Sequence, residues 1–322
     1  MPTRLFSRLC AALITLSAST AFAQSWPAKP VRVIIPAGTG GAVDTLGRML
    51  AEKLSLALRQ PFVVENMPGA GTTIGSEATA KAPPDGYTLL VMTNSHAVNA
   101  GVRSNLRYDP EKSFAPVSLL ATLPDLLMVN QSVKATSVSE LIDLARKSPG
   151  KINFASAGAG SGTHLVGELF NSMARVQLVH VPYKSGTAAL TDLAGGHVEV
   201  MFANPVAGLP HITSGRVRAL GVTSTKRIGL MPDVPTIGES LPGFASNTWY
   251  GVLFPAATPG AIVDALNREI QKTLALPDVK KRVEGEGGDV VGSTPAEFAR
   301  YLSADIDRWK KLVASNPHLR ID

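Results

Sequence analysis

Short β-branched runs alternate with apolar residues at helical spacing along most of this chain. Val31-Arg-Val-Ile-Ile35 reads as a strand, and behind it Val43, Leu46, Leu50, Leu54 and Leu58 recur every three or four positions, so a strand, a turn and a helix follow one another. Phe62-Val-Val64 and Thr88-Leu-Leu-Val-Met92 are the next strands, the second introduced by the turn Pro83-Pro-Asp-Gly-Tyr87. Ser137 and Glu140 stand at capping-box spacing and open a helix that stops at Pro149-Gly150. A strand over 153–155 then leads to a helix with Leu165, Leu169 and Met173 on its face, and 177–181, 198–202 and 217–222 read as further buried strands. Thr294, Pro295 and Glu297 begin a last helix with Phe298, Tyr301, Ile306 and Trp309 turned inward.

Strands alternating with helices predict α/β architecture with parallel-rich sheets covered on both faces, in which ligands bind beyond the carboxyl ends of the strands. Two glycine-rich turns of one design occupy that position: Pro36-Ala-Gly-Thr-Gly-Gly-Ala-Val-Asp44 and Ser156-Ala-Gly-Ala-Gly-Ser-Gly-Thr-His164. Glycine lets backbone approach a ligand closely, and the helix behind each turn presents unpaired N–H groups with partial positive charge, which suits an anion such as a carboxylate. The candidate contacts are Ala37, Gly38, Thr39, Gly40 and Gly41 in the first turn, and Ser156, Ala157, Gly158, Ala159, Gly160, Ser161, Thr163 and His164 in the second. The Asp44 carboxylate would repel an anion at close range, so its expected part is to cap the first helical turn and order the loop.

Other chemistries fit poorly. Val43 and Thr163 stand where the third glycine of a dinucleotide fingerprint belongs, no Gly-x-x-x-x-Gly-Lys phosphate loop is present, and Ser161 is flanked by Ala159 and Thr163, which breaks the nucleophile-elbow spacing. The six histidines, His96, His164, His180, His197, His211 and His318, show no metal-binding spacing, and only His164 sits at a turn. Arg4 and Arg8 precede an apolar stretch followed by Ala21-Phe-Ala23, so residues 1–23 are expected to be a cleaved export signal. The single cysteine, Cys10, lies within that signal with no lipobox around it. Without the signal, 29 basic residues face 25 acidic ones, scattered rather than gathered in a stripe, which argues against nucleic acid and for a weakly positive surface.

The stretches Val31-Arg-Val-Ile-Ile-Pro36 with Gly40-Gly-x-x-Asp44, Val64-Glu-Asn-x-Pro-Gly-Ala-Gly71, Ala82-Pro-Pro-Asp-Gly-Tyr-Thr88, Phe114-Ala-Pro-Val117, Phe154-Ala-Ser-Ala-Gly158, His180-Val-Pro-Tyr-Lys184, Pro232-Asp-Val-Pro-Thr236 and Trp249-Tyr-Gly251 follow one another along the chain. In this order they resemble the Bug family, the TctC-like extracytoplasmic solute receptors of tripartite tricarboxylate transporters. The resemblance implies a two-lobed type II periplasmic-binding-protein fold with the ligand cleft between lobes. One lobe would comprise 24–123 and the return segment 247–322, the other 124–246. It implies a monomer without cofactor, holding one small carboxylate unchanged and delivering it in the periplasm to the transporter's membrane subunits. The two glycine turns would grip the carboxylate, partly through waters, with Thr93, Asn94, Ser95, Tyr183, Lys184, Asn204 and Trp249 around the cleft. Tyr183 and Trp249 are equally explained as core aromatics, and Lys184 as a solvated charge.

Family members resembling amino-acid receptors carry an acidic residue in the segment matching Met201-Phe-Ala-Asn204; Ala203 here favours a plain carboxylate. Two other readings stay open. The chain could be an exported sensor handing its closed form to a signalling kinase, or an exported hydrolase using the turns as an oxyanion site, although no Ser-His-Asp spacing is apparent. Intact-mass measurement of exported protein should give a chain beginning at Gln24; a retained or lipid-modified N-terminus would overturn the export reading.

Overall fold

A computed structural model describes residues 26–159 and 161–321; the expected signal, Cys10 and Gly160 lie outside them. The strand–turn–helix unit forms as its pattern predicts. β1 (Val31–Ile35) pairs in parallel with β2 (Phe62–Asn66) on one side and β3 (Thr88–Thr93) on the other. The helix Ala42–Leu58 packs back with Val43, Leu46, Leu50 and Leu54 buried. Alternate strand residues face opposite layers. Val33, Ile35, Leu89 and Val91 meet the helices Ala42–Leu58 and Gly260–Leu274, while Ile34, Leu90 and Met92 meet the C-terminal helix Pro295–Ser315.

Both sheets are mixed rather than parallel throughout. Including β4 (Phe114–Pro124), β10 (Asn247–Pro255) and the short β11 (Asp289–Val290), the first runs in the order β11-β4-β10-β3-β1-β2, and β10 is antiparallel to both β3 and β4. The second comprises β5 (Leu126–Asn130), β6 (Asn153–Ser156), β7 (Val179–Pro182), β8 (Val200–Ala203) and β9 (Val217–Val222), in the order β7-β6-β8-β5-β9. The first sheet thus draws on both ends of the described chain, and the second on its middle. The chain passes from β4 to β5 through the single residue Asp125 and returns through 223–246. Where the crossings meet, the Thr223 N–H donates to the Asp125 carbonyl at 2.9 Å, the Asp125 N–H to Thr223 Oγ1 at 2.8 Å, and the Ser246 N–H to the Thr223 carbonyl at 2.9 Å.

Helix starts follow local chemistry. Thr294 and Glu297 form a reciprocal capping box. Ser137 accepts the Glu140 N–H at 3.2 Å, but the Glu140 carboxylate turns instead to the Thr136 N–H and hydroxyl, so that box is not closed. One core runs through both sheets, joining Trp309 and Phe298 to Phe154, Phe170 and Phe202.

Each sheet has a place where helix and strand meet without a side chain between. A Cβ on Gly251 of β10 would lie 2.3 Å from Phe298 Cζ, and one on Gly167 in the helix Gly162–Ala174 would lie 2.2 Å from Phe154 Cε2. Gly251→Ala and Gly167→Ala should each cost about 1–3 kcal/mol through overpacking. Chemical denaturation checks this, and an unchanged midpoint would refute the tight fit.

Candidate functional site

The first glycine turn leaves β1 at its carboxyl end, and Gly38, Thr39, Gly40 and Gly41 are exposed. Gly40 takes φ +83°, a left-handed conformation that glycine adopts without strain. A Cβ on Gly38 would meet nothing within 4 Å. Asp44 holds this shape from inside. It is 3% exposed, its Oδ2 accepts the Gly40 N–H at 2.8 Å, and Asn66 Nδ2 reaches its Oδ1 at 2.8 Å and the Ala37 carbonyl at 3.0 Å. Arg48 Nε lies 3.0 Å from Asp44 Oδ1, and its guanidinium also bonds Asn66 Oδ1. Burial would push the Asp44 carboxyl up, but the bonds from Arg48, Asn66 and Gly40 outweigh it and hold the pKa below the usual value. Asp44 therefore orders the loop and is not among the ligand-facing groups. The first N–H groups of the helix Ala42–Leu58, starting from N-cap Gly41, have no intrahelical partner.

The second turn repeats the arrangement with neutral parts. Ser156 ends β6 with no exposed surface. Its Oγ accepts the Gly158 N–H at 3.1 Å and lies 2.6 Å from His180 Nε2 and 3.0 Å from the Gly158 carbonyl. A serine bonded to a histidine has the form of a nucleophile with its base, but an enclosed hydroxyl offers no line of attack. Ser156 is thus a strut of the turn, not a direct contact. Thr163 Oγ1 accepts the Ala157 N–H at 3.0 Å, and Ser161 caps the helix Gly162–Ala174 by accepting the His164 N–H at 3.3 Å. Gly158 takes φ +123°, and Ala159 lies in the same turn.

The His164 ring is half-buried and packs among aromatic rings. It stacks on His180 with centroids 3.8 Å apart and on Phe154 at 6.3 Å, and its Nε2 lies 3.7 Å from Glu168. Burial, with the neighbouring His180 and His318 adding to it, lowers the His164 pKa to about 4. Trp249 is likewise placed in the core. It is 0% exposed, its Nε1 donates to Asp305 Oδ2 at 2.8 Å, and Phe298 and Tyr301 meet it edge-on, because β10 is a central strand covered by the C-terminal helix. The cleft position expected for Trp249 is therefore withdrawn.

At the carboxyl end of β3, Thr93 and Ser95 hydroxyls bond each other at 2.6 Å, and Asn94 precedes the helix Ser95–Val102 with 9% exposed. Thr93 pairs with Tyr250 across β10. Tyr183 donates its hydroxyl to Asp192 at 2.9 Å, and its N–H to the Ser156 carbonyl, flanking the second turn; Lys184 is exposed. Asn204 Oδ1 caps the helix Pro205–Thr213, while its Nδ2 donates to the Glu286 carbonyl of the other lobe at 2.8 Å.

Thr163 and Asn204 open onto one cavity of about 540 Å³, together with Asp125, Thr187, Leu190 and Met201. It contains no lysine or arginine. A smaller space beside it is lined by Ala42 at the first turn's helix, Leu123, Tyr250, Arg282 and Glu286, with Arg282 paired to Glu286 at 2.9 Å. The Asn204–Glu286 bond and the 123–125 crossing form the seam between the two. Sequence reading gave no role to Asn66, Arg48, Asp125 or Thr187. Asn66 lay in a quoted motif, and its place at the end of β2 beside the first turn was the available signal; the others come together only on folding.

The model of the tripartite tricarboxylate transporter family receptor matches residues 46–317. BugT of Bordetella pertussis is 36% identical over 294 residues, covering 90% of each chain. Among solved structures, an R. palustris protein with adipate is 36% identical, with a TM-score of 0.72 over 90% of this chain and 97% of that one. MatC from Rhodopseudomonas palustris with bound malate is 33% identical, with a TM-score of 0.71 over 89% and 100%.

His164 and the fully buried His96, whose pKa burial lowers to about 4 against the raising effect of the Pro110 carbonyl, both bind protons more readily unfolded than folded. Their stabilisation is full above about pH 6.5 and is lost as pH falls toward about 4. Asp125, lifted by burial from 3.8 to about 7, acts in the opposite sense across the whole of that window. Two histidines outweigh one aspartate, so the melting temperature should fall between pH 6.5 and 4, and His164→Asn should flatten the fall; an unaltered slope in that variant would contradict the assignment.

Proposed function

This chain belongs to the tripartite tricarboxylate transporter receptor family, and from that premise we propose that it captures a small carboxylate in the periplasm and hands it, as a monomer, to the transporter's membrane subunits. The observation that carries this reading is the pair of glycine turns. Each leaves the carboxyl end of a parallel strand, one per sheet, and opens a helix whose first N–H groups lack intrahelical partners. Neither turn contains a lysine or arginine, so a carboxylate there is held by backbone N–H groups and by hydroxyls such as that of Thr163. Such contacts are worth about 1 kcal/mol each and more when the acceptor is charged. The relatives solved with adipate and malate support a carboxylate of this size.

The site we propose comprises Ala37 to Gly41 and Ala42 of the first turn, Ala157 to Thr163 of the second, and Asn204 at the seam. Thr93, Asn94, Ser95 and Tyr183 stand behind it as supports. The serine that bonds a histidine at the second turn, Ser156, is fully buried, which counts against the hydrolase alternative.

A thermal-shift screen of mono-, di- and tricarboxylates should find a ligand that stabilises by about 2.7 kcal/mol at a hundredfold excess over its dissociation constant. Small-angle scattering should then show a smaller radius of gyration. Gly38→Val, which meets open space in the fold, should abolish binding and leave the unliganded melting temperature within a degree or two. Full affinity in that variant would move the site elsewhere, and turnover of the ligand would favour the hydrolase reading.

A further inference from the structure

Asp125 occupies an unusual place. It is the one residue between β4 and β5, its backbone N–H and carbonyl are both engaged with Thr223, and its side chain lines the large cavity that the second glycine turn reaches through Thr163. Among the described residues its carboxylate takes no hydrogen bond and no ion pair. Around it the cavity offers the apolar side chains of Leu190, Met201 and Ala203 and the hydroxyls of Thr187 and Thr191. The only other ionisable side chain on that wall is His211. From β10 the neighbouring group is Tyr250, whose phenol burial raises to about 12, helped by Glu286 and Asp125. Arg282 lies in the adjoining space but is paired with Glu286 at 2.9 Å, and the wall around Asp125 itself carries no lysine or arginine to balance its carboxylate.

We propose that Asp125 is the residue by which this receptor reads positive charge, so that its ligand carries an ammonium group as well as the carboxylate held at the glycine turns.

This rests on the carboxylate reading above and narrows it. A second carboxylate on the ligand would meet Asp125 with like charge in a partly dehydrated space, where repulsion is poorly screened, whereas an ammonium would supply the counter-charge that the fold leaves out. Burial alone lifts the Asp125 carboxyl to about 7, and an ammonium beside it would favour its charged form. The inference also revises the expectation drawn from Ala203. The absence of an acid in β8 does not leave the cleft without one, because the crossing from β4 to β5 delivers it from the other side.

The test is calorimetric titration at pH 8 with matched ligands of four to six carbons: the plain monocarboxylates, the dicarboxylates, and the α- and ω-amino monocarboxylates. At least one amino-carboxylate should bind tenfold or more tightly than the monocarboxylate of its length. Asp125→Asn should lose that tenfold preference, leave the monocarboxylate unchanged and improve the dicarboxylate. Asp125→Ser gives the same comparison with a shorter side chain, should Asn disturb the crossing, and unliganded melting at pH 8 checks that each variant is folded. A wild-type preference for dicarboxylates or plain monocarboxylates, or an amino-carboxylate preference that survives both substitutions, overturns the assignment of Asp125 while leaving the carboxylate receptor intact. Silence from the whole panel overturns the carboxylate reading itself.

Discussion

The mutual bonding of Asp125 and Thr223 is the constraint on which the two-lobed arrangement depends. Two sheets that share one chain must be joined by backbone passing through a partly buried zone, and buried peptide groups without partners are costly. Here the two crossings satisfy each other. Each residue gives an N–H and takes one, and Ser246 completes the set by donating to Thr223. With a single residue between β4 and β5, the relative placement of the sheets is constrained at that point, and the same residue lines the large cavity. The Asn204–Glu286 bond adds a second tie between the lobes along the same seam.

The two turns proposed to hold the anion contain no lysine or arginine of their own. In each, one buried acceptor captures a glycine N–H from within: Asp44 takes that of Gly40, and Ser156 that of Gly158. One donor is given up so that the others are fixed in place. Asp44 can be charged because Arg48 and Asn66 bind it and because an acid in the first turn of a helix is favoured by the helix dipole. Ser156 stays neutral and is held by His180, which burial keeps below its usual pKa and hence uncharged near neutrality. The rings of His164, His180 and Phe154 stacked behind it make the rear of the turn rigid and apolar.

What the sequence made legible was what local patterns determine. The β1 unit, the helix Pro295–Ser315 with its capping box, and the position of both glycine turns after strands could be read from spacing alone. The long strands β4 and β10 were harder. Pro116, Pro124 and Pro255 interrupt or end their patterns, and both are interior strands of the first sheet buried along most of their length, so neither alternates cleanly. Trp249 misled because an indole in a motif fits a cleft wall and a core equally well; its partner Asp305 lies 56 residues away, and only folding brings them together. Asp125 gave no sign at all, since a lone aspartate after a proline reads as a turn residue, and its meaning comes from a cavity lined by β8 and three helices from elsewhere in the chain.

In the proposed reading, affinity and selection fall to different parts of the molecule. Backbone N–H groups cannot tell one carboxylate from another; they supply binding free energy to any ligand that brings the anion to the turn. Selection must come from groups that treat two carboxylates unequally, and a fixed charge does this most strongly because it acts with opposite sign on an ammonium and a second carboxylate. Placing that charge on the crossing, where the backbone is pinned on both sides, holds its position while the helices and turns around it vary. A cleft organised in this way can keep its glycine turns unchanged and still change its ligand by one substitution at position 125.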